Sequence, residues 1–223
     1  KIKEFFHMQD FKKNCNVIIT ENEDVSFRLR TVFRKKIFTV TNYYNQVFDK
    51  KIEKKSFGFS EKNEIRLLTV AANYPHKNLK IIPPLIDYLI KAYPGVNFKF
   101  ILTIDKYELE VSEKAKKHIK FLGSIDIDDC PVLYQNCDFM FLPTLLECFS
   151  ASYCEAMKMK KPILTSDLNF AKGICKNAAY YFEPLSVKSI GEAIHKLWID
   201  KEKQKELIEL GSERLHSFDD SKT

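Results

Sequence analysis

"DFMFLPTLLECFSASYCEAMKMKKPILTSD", residues 138–167, sets two short apolar runs on either side of one longer mixed segment. The runs 138–142 and 162–165 have strand length and are apolar at almost every position. Residues 151–160 between them carry a helical pattern that includes Glu155. Strands that are apolar throughout, rather than at alternate positions, are buried on both faces. The stretch therefore predicts one strand–helix–strand unit of a parallel sheet covered by helices.

The same alternation runs outward in both directions. Strands are expected at 16–20, 36–41, 65–72, 97–104, 119–122 and 179–182, with helices near 22–34, 78–93, 110–117, 128–136, 168–176 and 187–199. The helix at 187–199 is the clearest, with Ile190, Ile194, Leu197 and Trp198 on one face. A charged last helix at about 201–216 has Leu207, Ile208, Leu210 and Leu215 as its apolar stripe. Pro83-Pro84 must either kink its helix or mark the true start.

Residues 42–63, "NYYNQVFDKKIEKKSFGFSEKN", are polar, aromatic and lysine-rich without a clean period. They read as a connection between domains. Residues 1–41 hold too little for a domain of their own and read as the remnant of an amino-terminal Rossmann-like domain. Residues 64–223 form a complete α/β doubly wound unit with a mostly parallel sheet. In such sheets ligands bind at the carboxyl ends of the strands near the topological switch point. The loops to inspect are those after 72, 104, 123, 143 and 165.

Composition narrows the function classes. The chain has 223 residues, 45% hydrophobic and 30% charged, which suits an ordinary globular protein. No apolar run approaches the roughly 20 residues that span a bilayer. The net charge of +6 fits a solvated lysine-rich surface, and the lysines are scattered, which disfavours nucleic acid and leaves peripheral membrane contact open. Six cysteines without a Cys-x-x-Cys pair read as reduced thiols of a cytoplasmic protein. The chain starts at Lys1 rather than Met, so a fragment or a processed chain is expected.

Two carboxylates stand eight positions apart, Glu147 after one strand and Glu155 inside the next helix. Spacing alone means little, since Glu53 and Glu61 are also eight apart in a polar stretch. Position makes the difference: one carboxylate on a strand-exit loop, one on the following helix, and the N–H groups of residues 149–152 between them. A nucleotide sugar has the matching parts, a diphosphate between two hydroxyl-rich rings. Lys77, in "AANYPHKNL" after another strand, would add a cation suited to phosphate. Taken alone, Lys77 is better read as an exposed lysine, and His76 as a solvated loop histidine. No Gly-x-Gly-x-x-Gly, no P-loop and no Gly-x-Ser-x-Gly elbow is present, so dinucleotide-binding, P-loop and serine hydrolase readings lose their main support.

The run from Pro143 through Glu147, Phe149, Glu155-Ala156-Met157, Pro162, Ser166-Asp167 and Glu183-Pro184 resembles the signature of family 4 retaining glycosyltransferases. Specifically, it resembles the carboxyl-terminal donor-binding domain of their two-domain GT-B fold. "FLGSI", "LYQNCDFMFLP" and "PHKNL" also fall in family order, so the resemblance covers the chain from about residue 15 onward. It implies that Glu147 contacts the donor sugar and that Lys77 neutralises the diphosphate as the bond breaks. Both are the catalytic candidates. Glu155 would accept hydrogen bonds from the ribose, the amides of Phe149, Ser150 and Ala151 would assist Lys77, and Asn73 and His76 would line the donor site. Gly123, Ser124 and Ile125 would flank the base.

The implied activity is transfer of a hexose from a nucleotide-diphosphate sugar to a glycan or lipid-linked acceptor of polysaccharide or lipopolysaccharide type. No cofactor or metal is expected, because no Asp-x-Asp follows a strand at the site. Cys148 and Ser150 stand where the family has glycines, and Ala71, Ala72 and Asn73 stand where an arginine is common. If the glycine positions need positive φ, each replacement costs about 1 kcal/mol. In this fold the acceptor site lies in the amino-terminal domain, so the chain alone is expected to bind donor weakly and turn over poorly or not at all. A non-catalytic nucleotide-sugar-binding module and another GT-B-fold enzyme, such as a nucleotide-sugar epimerase, are the competing readings.

Overall fold

A computed structural model describes residues 12–52, 55–59 and 64–218. The outer ends of the two expected domains, and residues 53–54 and 60–63 of the expected linker, lie outside the described residues. Among the described residues, eight strands form two separate parallel sheets. The small sheet pairs β1 (Val17–Thr20) with β2 (Lys36–Thr39) in register, Ile18 against Ile37, and α1 (Glu23–Val32) crosses between them. Asn22 caps α1 by accepting from the Asp24 amide, and Glu23 and Asp24 suit its positive end.

The large sheet has six strands: β3 (Ile65–Thr69), β4 (Phe98–Leu102), β5 (Ile119–Phe121), β6 (Phe139–Leu142), β7 (Ile163–Ser166) and β8 (Tyr180–Phe182). All are parallel, in the order β5-β4-β3-β6-β7-β8. The helices are α2 (Ile82–Ala92), α3 (Glu113–Lys116), α4 (Cys130–Gln135), α5 (Ala151–Lys158), α6 (Asn169–Cys175), α7 (Val187–Ile199) and α8 (Lys201–Leu215).

Why the strands are continuously apolar is now plain. Successive residues point to opposite faces, and both faces are buried. Leu67, Phe100, Phe141 and Leu164 pack under α2 and α7, while Leu68, Ile101, Met140 and Ile163 pack under α4, α5 and α6. On α7, Ile190, Ile194 and Leu197 are buried as their spacing predicts, with Trp198 at the margin. Gly191 lets α7 approach α2 so closely that an added Cβ would stand 2.5 Å from the Tyr88 ring. Among the described residues no helix is long and apolar enough to cross a membrane.

Pro83 and Pro84 mark a helix start rather than a kink: α2 begins at Ile82 with proline in its first turn, where the missing N–H has no partner to lose. Strand β3 ends at Thr69, short of the expected Ala72. Beyond it the backbone leaves the ladder, and the Ala71 amide turns to the Thr103 hydroxyl. The connecting segment is not simply loose. Residues Gln46–Asp49 form a 3₁₀ turn, started by the Asn45 side chain, that buries Val47 and Phe48 in the core of the large sheet. Phe48 meets Tyr134 edge-on, and Lys158 bonds Asp49 and lies over the Tyr44 ring.

Candidate functional site

The chain winds outward in opposite directions from β3 and β6, which are neighbours, so the switch point lies between them. Their carboxyl ends are held together by the Thr69 hydroxyl, which donates to the Phe141 carbonyl at 2.6 Å. Two loops leave this point and knit to each other. The His76 carbonyl accepts from the Leu145 amide at 2.7 Å, and the Thr144 hydroxyl lies 2.9 Å from the same oxygen.

This lattice brings the two catalytic candidates into contact. Lys77 Nζ donates to Glu147 Oε1 at 2.5 Å, with 15% and 9% of the two side chains exposed. Lys77 ends a 3₁₀ turn (Pro75–Lys77), and Asn78 follows in the left-handed region, which asparagine tolerates. The Asn78 side-chain Nδ2 donates to the Pro184 carbonyl at 3.0 Å and fixes the turn to the exit of β8. The helix start expected immediately after Lys77 falls instead at Ile82, so the lysine contributes its charge without that helix's end.

Thr144 was not among the sequence candidates. It is fully buried, and its hydroxyl lies 3.1 Å from Glu147 Oε1. The signal was available: the family signature has a hydroxyl residue after its proline, and here Thr144 follows Pro143.

Helix α5 begins at Ala151 as expected. Its N-cap, Ser150, is extended (φ −119°) and makes no side-chain capping bond. The first-turn N–H groups of a helix lack intrahelical partners, and this end faces the β3 loop, where the Ser152 hydroxyl donates to the Val70 carbonyl at 3.4 Å. Tyr153 pins the helix to the sheet through Thr165, the two hydroxyls 2.8 Å apart in the core. Among the described residues, the non-glycine positions with positive φ are Asn78, Lys160 and Lys176. Cys148 and Ser150 therefore replace the family's glycines without the backbone strain considered above. Phe149 is half-buried, its ring edge-on to Phe218 at 6.0 Å.

Glu155 lies in the second turn of α5 and is buried. Its Oε2 accepts from the Tyr134 hydroxyl of α4 at 2.9 Å. Burial raises its pKa above the usual glutamate range, and the Tyr134 hydrogen bond partly opposes that rise. Its charge reaches the next cavity: the Cys130 thiol is pushed up to about 12 by burial first and then by Glu155.

That cavity, of about 380 Å³, opens over the ends of β3, β4 and β5. Ala71 and Ala72, Thr103 and Ile104, and Ser124 and Ile125 form its walls, with Cys130 and Glu108 beside them. Gly123 has φ +69°, which glycine adopts without cost, and its amide donates to the Ile104 carbonyl as the chain turns toward the cavity. Asn73 is spent on the Glu108 carbonyl, and the His76 ring stacks on Tyr74 at 5.7 Å. His76 thus serves the site through its backbone.

Comparison with known proteins follows the same outline. The family model for glycosyl transferases group 1 matches residues 49–214. A curated relative, the O-antigen chain mannosyltransferase RfbU of Salmonella typhimurium, is 24% identical over 188 residues, which is 82% of this chain and 51% of that protein. The chain thus spans about half the length of this relative. Sucrose-phosphate synthase from Thermosynechococcus elongatus superposes with a TM-score of 0.73 at 14% identity, covering 98% of this chain and 58% of the other. A TarM variant from S. aureus, solved with fondaparinux, alpha-GlcNAc-glycerol and UDP, superposes with a TM-score of 0.71 at 16% identity, covering 97% and 44%. At these identities the two solved structures speak for the fold.

Proposed function

This chain belongs to the glycosyl transferases group 1, and from that premise we propose that it is the donor-binding half of a retaining glycosyltransferase. It takes a hexose from a nucleotide-diphosphate sugar and passes it to a glycan or lipid-linked acceptor in polysaccharide or lipopolysaccharide synthesis. The Lys77–Glu147 pair carries this reading, because it sets a cation and a carboxylate side by side at the switch point. The O-antigen mannosyltransferase relative supports a hexose and a polysaccharide-type product, and the UDP complex of the TarM variant supports a nucleotide donor.

In this reading the base lies in the cavity flanked by Gly123, Ser124 and Ile125, and the ribose hydroxyls reach Glu155. The diphosphate lies against the start of α5, where the amides of Phe149, Ser150 and Ala151 and the Lys77 ammonium face it. As the sugar–phosphate bond breaks, negative charge grows on the leaving diphosphate. Fixed donors aimed at that charge lower the barrier by a few kcal/mol each, on the order of a hundredfold in rate. Glu147, held by Thr144, binds sugar hydroxyls and steadies the positive character at the anomeric carbon. The leaving-group charge is assigned to Lys77 and the amides, with no metal. Work on a lipid-linked acceptor would place the protein at the inner face of the membrane, in peripheral contact.

The test is titration calorimetry with UDP-, GDP- and ADP-sugars. Binding of one base series supports the donor site, and no heat with any of them sinks it. In the complete protein, Lys77→Ala or Glu147→Ala with sugar transfer intact would remove the assigned roles.

A further inference from the structure

We propose that Tyr134 is a positioning residue that holds the Glu155 carboxylate for its ligand, and that Phe48 of the connecting segment fixes the tyrosine ring. The inference rests on the donor reading of Glu155. Tyr134 is fully buried on α4, and a phenol withdrawn from water needs a partner for its hydroxyl. The partners within reach are both on α5: Glu155 Oε2 at 2.9 Å and the Ser152 carbonyl at 3.4 Å. One proton serves one acceptor at a time, and the shorter bond, to a carboxylate, is the stronger.

Packing alone does not call for the hydroxyl. Phenylalanine would fill nearly the same volume, so the oxygen's consequence is the hold on Glu155. A glutamate has three freely turning side-chain bonds, and meeting a pair of hydroxyls requires most of that freedom to be removed beforehand. Tyr134 removes it from below. Its own ring is wedged by Phe48, at 5.8 Å between centroids and 70° between planes. Phe48 is itself buried and lies in the 3₁₀ turn Gln46–Asp49. A residue of the connecting segment is therefore one ring away from the carboxylate. The hydrogen bond also works against burial to keep Glu155 ionised, the form that accepts from hydroxyls.

The experiment compares UDP, GDP and ADP with their 2′-deoxy counterparts by titration calorimetry on the full chain. Wild type is expected to bind one ribonucleotide about tenfold or more tighter than its deoxy form, the scale of a hydrogen bond to a charged group. Tyr134→Phe should shrink that ratio to within about threefold by weakening the ribonucleotide, while the deoxy form binds about as before. Phe48→Leu, which keeps the hydroxyl and loosens the ring, should lose part of the ratio. Full discrimination retained in Tyr134→Phe overturns the proposal and leaves the donor reading standing. Full discrimination retained in Phe48→Leu overturns the part given to Phe48. Binding of none of the six nucleotides by wild type removes the donor reading and this proposal with it.

Discussion

Lys77 Nζ and Glu147 Oε1 are 2.5 Å apart although 70 positions separate them in the chain. The contact spans the gap between the loops leaving β3 and β6. Because each group partly neutralises the other, the two should respond to substitution in opposite ways. Lys77→Ala should weaken a nucleoside diphosphate about tenfold or more while leaving the parent nucleoside unchanged, as loss of a phosphate cation requires. Glu147→Gln should leave diphosphate binding equal or tighter, since Lys77 is released from its partner, and should abolish transfer by the complete protein. Calorimetry with UDP, GDP and ADP and their nucleosides decides. A parallel fall in nucleoside affinity would reject the assignment to the diphosphate.

Glu155 predicts a pH dependence of stability. Its pKa is raised in the folded protein by burial, so the folded state binds its proton more tightly than the unfolded chain does. Stability from this group is fully present below the ordinary glutamate pKa and is lost as pH rises through the folded value. Glu155→Gln removes that loss. Its stability relative to wild type should therefore improve from pH 4.5 to pH 8. Urea midpoints for both proteins across that range check it, and parallel profiles would refute it.

Gly191 tests the closeness of α7 and α2. Alanine would ordinarily favour a helix by about 1 kcal/mol over glycine. Here its Cβ would meet the Tyr88 ring at 2.5 Å, and forcing an extra carbon into packed contact costs typically 1–3 kcal/mol. The clash outweighs the propensity gain, so Gly191→Ala should lower the thermal midpoint. A raised midpoint would mean that Tyr88 swings away freely.

Phe48 tests whether the connecting segment belongs to the core. It is 3% exposed and packs with Tyr134. Phe48→Ala should cost about 3–5 kcal/mol, the range for buried aromatic truncation, measured by denaturant unfolding. A loss under 1 kcal/mol would show the turn to be detachable.

Much of this was legible beforehand, and the reason is physical. Strands such as Leu67-Leu68 and Ile163-Leu164 feed one residue to each buried face, so their apolar continuity announces a covered parallel sheet. The helix start at Ala151 and the loop position of Glu147 followed from the same pattern. Three things did not. Thr144 follows Pro143 as the signature's hydroxyl residue does, but its place beside Glu147 comes from a contact between loops that its position in the sequence does not announce. The Glu155–Tyr134 bond joins two helices, and its sign was hidden in a residue that reads as ordinary core. Val47 and Phe48 sit in a polar, lysine-rich run, where two apolar residues without a period leave no helical or strand signature.

The buried turn at Gln46–Asp49 also has a consequence for motion. Strand β2 ends at Thr39, with Val40 still bonded to Thr20, and Tyr43 and Tyr44 already pack against the core of the large sheet, so the tether that joins the two units is residues 41–42, roughly 7 Å at full stretch. Across that tether the small sheet touches the large unit at α6, where the Asn22 side-chain Nδ2 donates to the Phe170 carbonyl at 3.3 Å. So short a tether keeps the two surfaces at an effective concentration in the millimolar range. A contact too weak to persist between free molecules is therefore enough to hold the small sheet against α6.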